Sequence, residues 1–163
     1  MYYFRLQQDK RFFDSLRLEQ VSRDMEIDER NIVFVKDDGE QPVYLDFIDH
    51  PRWLVSDRMK GLLEKYDRFL RFYSAVLTGR STQRQDIYWF MEPGVADCLS
   101  ERTQVDASGA LRPLVLAETK VRRERIFRVA GVKEDILIVR LDVAESLQRR
   151  GFTGLHFTPV ELA

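Results

Sequence analysis

The closing stretch from Ile136 to Val160 limits the fold more than any other part of the chain. Ile136 to Leu141 holds five apolar residues in six. No alternation is left to give it a wet face, so it reads as a strand buried on both sides. Asp142 stops that run. Its carboxylate is expected to accept from the Glu145 amide while the Glu145 side chain reaches back, a capping box with Asp in first position. Val143, Ala144 and Leu147 supply an apolar stripe, Arg149 and Arg150 stand where a helix end favours cations, and Gly151 offers the left-handed residue that follows. Leu155 and Phe157 then alternate with His156 and Thr158, which predicts a half-buried strand ended by Pro159.

A second strand, helix and strand are predicted from Trp53 to Leu77. Ser56 is placed to cap a helix whose Met59, Leu62, Leu63 and Tyr66 recur at helical spacing, and Phe69 to Leu77 reads as the following strand. Around these units the pattern is mostly β. Tyr2, Phe4 and Leu6 alternate with polar or wetter positions. Asn31 to Lys36 and Val43 to Ile48 are expected to pair as a hairpin about the turn residues from Asp37 to Pro42. Val95 to Gln104 and Leu111 to Val121 are expected to form a longer hairpin turning at Asp106 and Gly109. Asp9 to Arg30 is charged and weakly periodic, and reads as irregular. With 163 residues the chain can bury about 70% of its unfolded surface without a staple. The expectation is one α+β domain over residues 1–163, mostly antiparallel sheet with two short amphipathic helices; the repeated strand-helix-strand order leaves open an arrangement as two halves. The polar stretch at residues 79–85 is the candidate for a subdomain boundary.

The residues exclude most chemistry. Neither His50 nor His156 has a second ligand at metal-binding spacing, so no metal is expected. The single Cys98 rules out an internal disulfide and a multi-cysteine zinc site, fits a reducing cytoplasm, and reads as a small core residue. No nucleophile elbow and no phosphate-cradling glycine loop occur, so neither catalysis nor a cofactor is expected. Asp46 with Asp49, and Asp86 with Glu92, could be taken for acid/base pairs, but 27 acids make chance pairs common. No run approaches the roughly 20 apolar residues of a membrane span, and the first residues lack a signal-peptide pattern. A formal charge of −1 draws the chain toward neither nucleic acid nor membrane. The one basic cluster, Lys120 to Arg125, lacks interleaved aromatics and is broken by Glu124.

Gly151, Phe152, Gly154, Leu155, Phe157, Pro159 and Val160 form a Gly-Phe-x-Gly-Leu-x-Phe-x-Pro-Val ending. It resembles the C-terminal signature of a bacterial α+β family of immunity proteins from polymorphic toxin systems. Weaker likenesses lie at Leu54 to Tyr66 and at Asp86 to Ser100. The resemblance implies a cytoplasmic, non-enzymatic protein that binds and neutralises a cognate protein toxin by direct contact. The matched positions are packing and turn residues, so no functional residue carries over. Arg52, Trp53, Asp86, Tyr88 and Trp89 are the expected partner-binding patch, because aromatics beside charges suit an anchor and its rim. The competing reading is a non-enzymatic nucleic-acid or small-ligand binding module that uses Lys120 to Arg125 and the sheet's aromatics.

Overall fold

The chain is described here by a computed structural model covering residues 1–163. Its strands are β1 (Tyr3–Gln8), β2 (Arg30–Val35), β3 (Phe47–Ile48), β4 (Leu54–Ser56), β5 (Arg71–Gly79), β6 (Gln85–Glu92), β7 (Val95–Ala96), β8 (Val115–Leu116), β9 (Ile126–Val129), β10 (Leu137–Arg140) and β11 (Leu155–Leu162). Its helices are α1 (Asp57–Leu63), α2 (Glu118–Val121) and α3 (Leu141–Arg149), with one 3₁₀ turn at Lys10–Phe12. The strands make two mostly antiparallel sheets, so the fold is α+β. Two compact units result. One comprises Met1–Gln7, Pro93–Arg150 and His156–Ala163, and the other Gln8–Glu92 and Gly151–Leu155. Residues 79–85 are the tight link between β5 and β6, inside the second unit, and their polarity is that of a hairpin turn.

The first unit holds a six-stranded sheet in the order β7-β9-β10-β1-β11-β8. β10 is buried at Leu137, Ile138 and Val139 because it lies between β9 and β1, with α3 following it. Tyr3 anchors the core: its hydroxyl donates to Val121 O at 2.6 Å, and its ring meets Phe127 edge-on with centroids 6.0 Å apart. β1 is buried at Tyr3 on one face and at Leu6 and Gln8 on the other, while Tyr2 is exposed. α3 buries Val143, Ala144 and Leu147, each large side chain contributing about 1.5 to 3 kcal/mol before entropy is subtracted. The expected cap is corrected. Arg140 is the N-cap residue, and the Asp142 carboxylate takes the Arg140 guanidinium at 2.8 and 2.9 Å instead of capping the helix. β11 runs through Pro159 to Leu162. Its pairing with β8 starts only at Glu161, so the missing proline N–H removes nothing from that ladder. The expected long hairpin is reduced to β7, β8 and two isolated bridges, closed by the Asp106–Gly109 turn, and Glu118 to Val121 is helical.

The second unit holds a five-stranded sheet in the order β2-β5-β6-β4-β3. Ser56 caps α1 as its side chain accepts from Met59 N at 3.2 Å, and Met59, Leu62 and Leu63 are buried. The predicted hairpin between residues 31–36 and 43–48 does not form. β2 pairs in parallel with β5, and β3 lies at the opposite edge of the sheet. Asp37 explains the departure: it is buried and accepts from the backbone of Ser81 at 2.7 Å and of Thr82 at 3.1 Å, and from the Thr82 hydroxyl. The end of β2 is therefore tied to the β5–β6 turn and does not fold back. A second carboxylate, Asp46, accepts from the Ser56 hydroxyl at 2.7 Å and from Thr153 through its N–H at 2.8 Å and its hydroxyl at 3.0 Å. Residues 151–155 are thereby bound to this unit. Gly154 sits there at φ +87°, where a Cβ would lie 2.8 Å from Phe47 O. In both units the strands joined by a helix flank a third strand: β4 and β5 flank β6, and β10 and β11 flank β1.

Candidate protein-docking face

Along β2, β5 and β6 side chains alternate between two faces of the second unit's sheet. One face is core: Val33, Val35, Ala75, Leu77, Tyr88 and Phe90 are buried, and Leu16 with the partly buried Val21, Met25 and Ile27 covers them. The 9–30 segment is irregular because it serves as this cover. On the other face α1 packs against β4 and β6. Beyond it, Ile32, Val76 and Ile87 stand in register across three adjacent strands. Ile32 is 71% exposed and Ile87 56% exposed.

Single exposed aliphatic residues are ordinary, and here three aliphatic residues adjoin across neighbouring strands. Phe34 and Trp89, both half-buried, extend it on either side. Arg80 stacks on the Phe34 ring, its guanidinium carbon 4.2 Å from the centroid, and pairs with Glu19 at 2.6 Å. Lys60 Nζ lies 4.3 Å from the Trp89 centroid and pairs with Glu64 at 3.0 Å. Trp89 Nε1 donates to Asp57 at 2.8 Å. The rings are thus held by cations above them and the charges are largely matched. Three strands about 4.8 Å apart and five residues at about 3.4 Å span roughly 250 Å² of this face, which Ile32, Phe34, Val76, Ile87 and Trp89 share with the polar Arg30, Ser74, Thr78 and Gln85. That is smaller than a whole protein–protein interface, and paired charges surround it.

The five residues expected as the binding patch do not share one surface. Trp53 is 8% exposed and sits in the core. Tyr88 is 4% exposed and donates its hydroxyl to Leu45 O at 2.6 Å, with burial pushing its phenol far above the usual range. Arg52 is used internally, donating to Met25 O at 2.6 Å and lying 3.7 Å from Glu92. Asp86 is on the Leu77 side of the sheet, paired with Arg84 at 2.8 Å. Trp89, one residue from Tyr88, points to the open face. Ile32, Val76 and Ile87 were not singled out from the sequence. The available signal was that β2 and β6 are apolar at both parities while one short helix cannot cover both ends of a sheet face.

No group of three or more His, Cys, Asp or Glu side chains converges. Cys98 is buried, and desolvation pushes its thiol up to about 11, away from thiolate reactivity. His50 stacks on Phe13 at 5.4 Å, and His156 is exposed on β11. Asp49 is hydrogen-bonded with Gln8 in both directions, at 2.8 and 3.0 Å. No helix is long and apolar enough to cross a membrane. The model of the immunity protein family Imm11 matches residues 2–162. The chain belongs to the Imm11 family. Among curated proteins none matches it. Imm11 membership carries a toxin-immunity role in general terms, and immunity families are generally non-enzymatic. In this Imm11 protein the open face of the β2-β5-β6 sheet carries exposed Ile32 and Ile87 with no element packed over them.

Proposed function

We propose that this Imm11 protein neutralises a cognate bacterial toxin in the cytoplasm by direct protein–protein contact, and that the open face of the β2-β5-β6 sheet is where the toxin docks. The observation that carries the reading is the registered row of Ile32, Val76 and Ile87 between Phe34 and Trp89. It is an apolar centre with aromatic flanks and matched charges around it, which is the anatomy a stable interface uses. Catalysis is not part of the proposal, since inhibition by occlusion needs no reacting group. The nucleic-acid alternative is less favoured, because Arg122 and Arg123 flank α2 with Val121 turned into the core and no aromatic ring among them.

The test is co-expression with the product of the adjacent toxin gene. The unaltered protein should restore growth and co-purify with the toxin. Ile87→Glu, which puts a charge in the middle of the row, should abolish both while leaving the far-ultraviolet circular dichroism spectrum unchanged. Full protection by a folded Ile87→Glu, Val76→Glu double variant would remove the face from consideration.

A further inference from the structure

β2 is a border strand, and only half of its outer side is occupied. Val35 O accepts from Arg80 N at 3.0 Å on the β5 side, so the backbone groups of the even-numbered residues face outward. Phe34 O accepts from Glu19 N at 2.8 Å, Lys36 N donates to Arg17 O at 2.9 Å, and Leu18 bridges Val35 in the antiparallel sense. Gln20 then takes φ 60°, a left-handed conformation, and the chain leaves the edge. The one bridge on this outer side is Leu18 to Val35, so no strand lies beside the outward N–H and C=O of Ile32 and Arg30. The gap is a groove of about 260 Å³ bordered by Val21, Met25 and Ile32, with the charged Glu19, Glu26, Asp28 and Arg30 at its margin.

We propose that this uncovered half of the edge receives an extended segment of the cognate toxin, which continues the short antiparallel strand of Arg17 to Glu19 and pairs with Arg30 to Ile32. This rests on the direct-contact reading above and specifies its geometry. The chemistry selects the occupant. Unpaired backbone donors and acceptors are met best by another backbone in extended form. The incoming residue opposite Ile32 would lie on the open face and lengthen the apolar row by one strand, so it is an apolar residue; its neighbours would turn toward Val21 and Met25. A second copy of this chain fits poorly. Antiparallel pairing of β2 with itself about Asn31 would set Glu26 to Asp28 of one copy opposite Phe34 to Lys36 of the other, where Arg17 to Glu19 already sit. Arg30 supplies a charge at the end of the slot, a device that discourages indiscriminate pairing.

Residue-resolved hydrogen exchange on the full chain, alone and in complex with the product of the adjacent toxin gene, tests the idea. The Ile32 amide should exchange freely in the unbound protein and become at least about 100-fold slower in the complex. Ile32→Pro removes the outward N–H at an edge position that tolerates proline. It should lose toxin co-purification while Val33 and Val35 amides stay protected, and Ile32→Val should keep it. If Ile32→Pro does not fold, the exchange result on the unaltered protein decides. Toxin binding with a freely exchanging Ile32 amide overturns strand addition and leaves direct contact standing. Failure of the unaltered protein to bind overturns both. Protection of Ile32 that rises with the protein's own concentration, without toxin, would assign the edge to self-association and overturn the proposal.

Discussion

Asp46→Ala should destabilise the second unit by about 3 kcal/mol. The Asp46 carboxylate holds together three stretches distant in sequence: it accepts from Ser56 at 2.7 Å and from Thr153 at 2.8 and 3.0 Å, and it lies 3.4 Å from Arg58. Hydrogen bonds to a charged acceptor contribute about 1.5 to 3 kcal/mol. The half-buried Ser56 bond is set at about 1.5 kcal/mol, and the two bonds from exposed Thr153, whose donors regain water on truncation, at about 1 kcal/mol together. The exposed Arg58 pair adds no more than about 0.5 kcal/mol. Ser56 is also the α1 cap, and donating to Asp46 leaves its lone pairs free for Met59 N, so truncation loosens the helix start as well. Urea titration followed by circular dichroism measures the loss, and thermal unfolding should fall by about 6 to 12 °C.

The pH dependence of that loss has a defined sign. Burial pushes the Asp46 carboxyl up, but the Ser56, Thr153 and Arg58 interactions together outweigh it and hold the carboxyl below its ordinary 3.8. A lowered folded-state value means that the stabilisation is complete above the ordinary value and disappears as pH falls through the lowered one. The gap between unaltered protein and Asp46→Asn should therefore be constant at neutral pH and close only below about pH 4. A loss under about 1 kcal/mol for Asp46→Ala, or a gap that closes near pH 6, would refute the assignment of this carboxylate as a charged hub.

Gly154→Ala combines a φ of +87° with a Cβ 2.8 Å from Phe47 O and 3.0 Å from the Leu45 side chain, and should cost about 2 to 4 kcal/mol by urea denaturation. A neutral outcome would mean that residues 151–155 shift freely. Cys98, buried and with its thiol raised to about 11, should resist a thiol-labelling reagent at pH 8 until urea unfolds the first unit; labelling at the rate of a free peptide thiol would contradict its burial.

Local chemistry was legible in the sequence, and pairing over distance was not. α1 could be read because Ser56 and the spacing of Met59, Leu62 and Leu63 are signals confined to a few residues, although Tyr66, expected on the same face, lies past the helix end at Leu63. The Gly151 left-handed turn, at φ 66°, is likewise local. The cap at Asp142 was misread because capping competes with a neighbouring cation, and Arg140, two residues back, takes the carboxylate. The β2–β3 hairpin was misread because the turn residues after Val35 are committed to Ser81 and Thr82, more than forty positions on. The docking face illustrates the same limit. Alternation predicts that Tyr88 and Trp89 point to opposite sides, but which side stays open depends on where α1 and the 9–30 cover settle. Composition therefore led to the aromatic pair, whereas the row of Ile32, Val76 and Ile87 becomes visible only when the register of three strands is known.

The chain passes from one unit to the other four times, at 7/8, 92/93, 150/151 and 155/156. On a ribosome this threading has a kinetic meaning. The second unit lacks its 151–155 segment, and with it the Thr153 partner of Asp46, until translation has passed residue 155. The first lacks β11 from His156 onward until a few residues later. A nascent chain shorter than this holds neither unit complete, so both close within one short interval at the end of synthesis of this region. A chain that terminates before residue 150 carries every strand of the five-stranded sheet but not the Thr153 partner of Asp46, and its six-stranded sheet lacks β11, so neither unit it presents to quality-control proteases is complete.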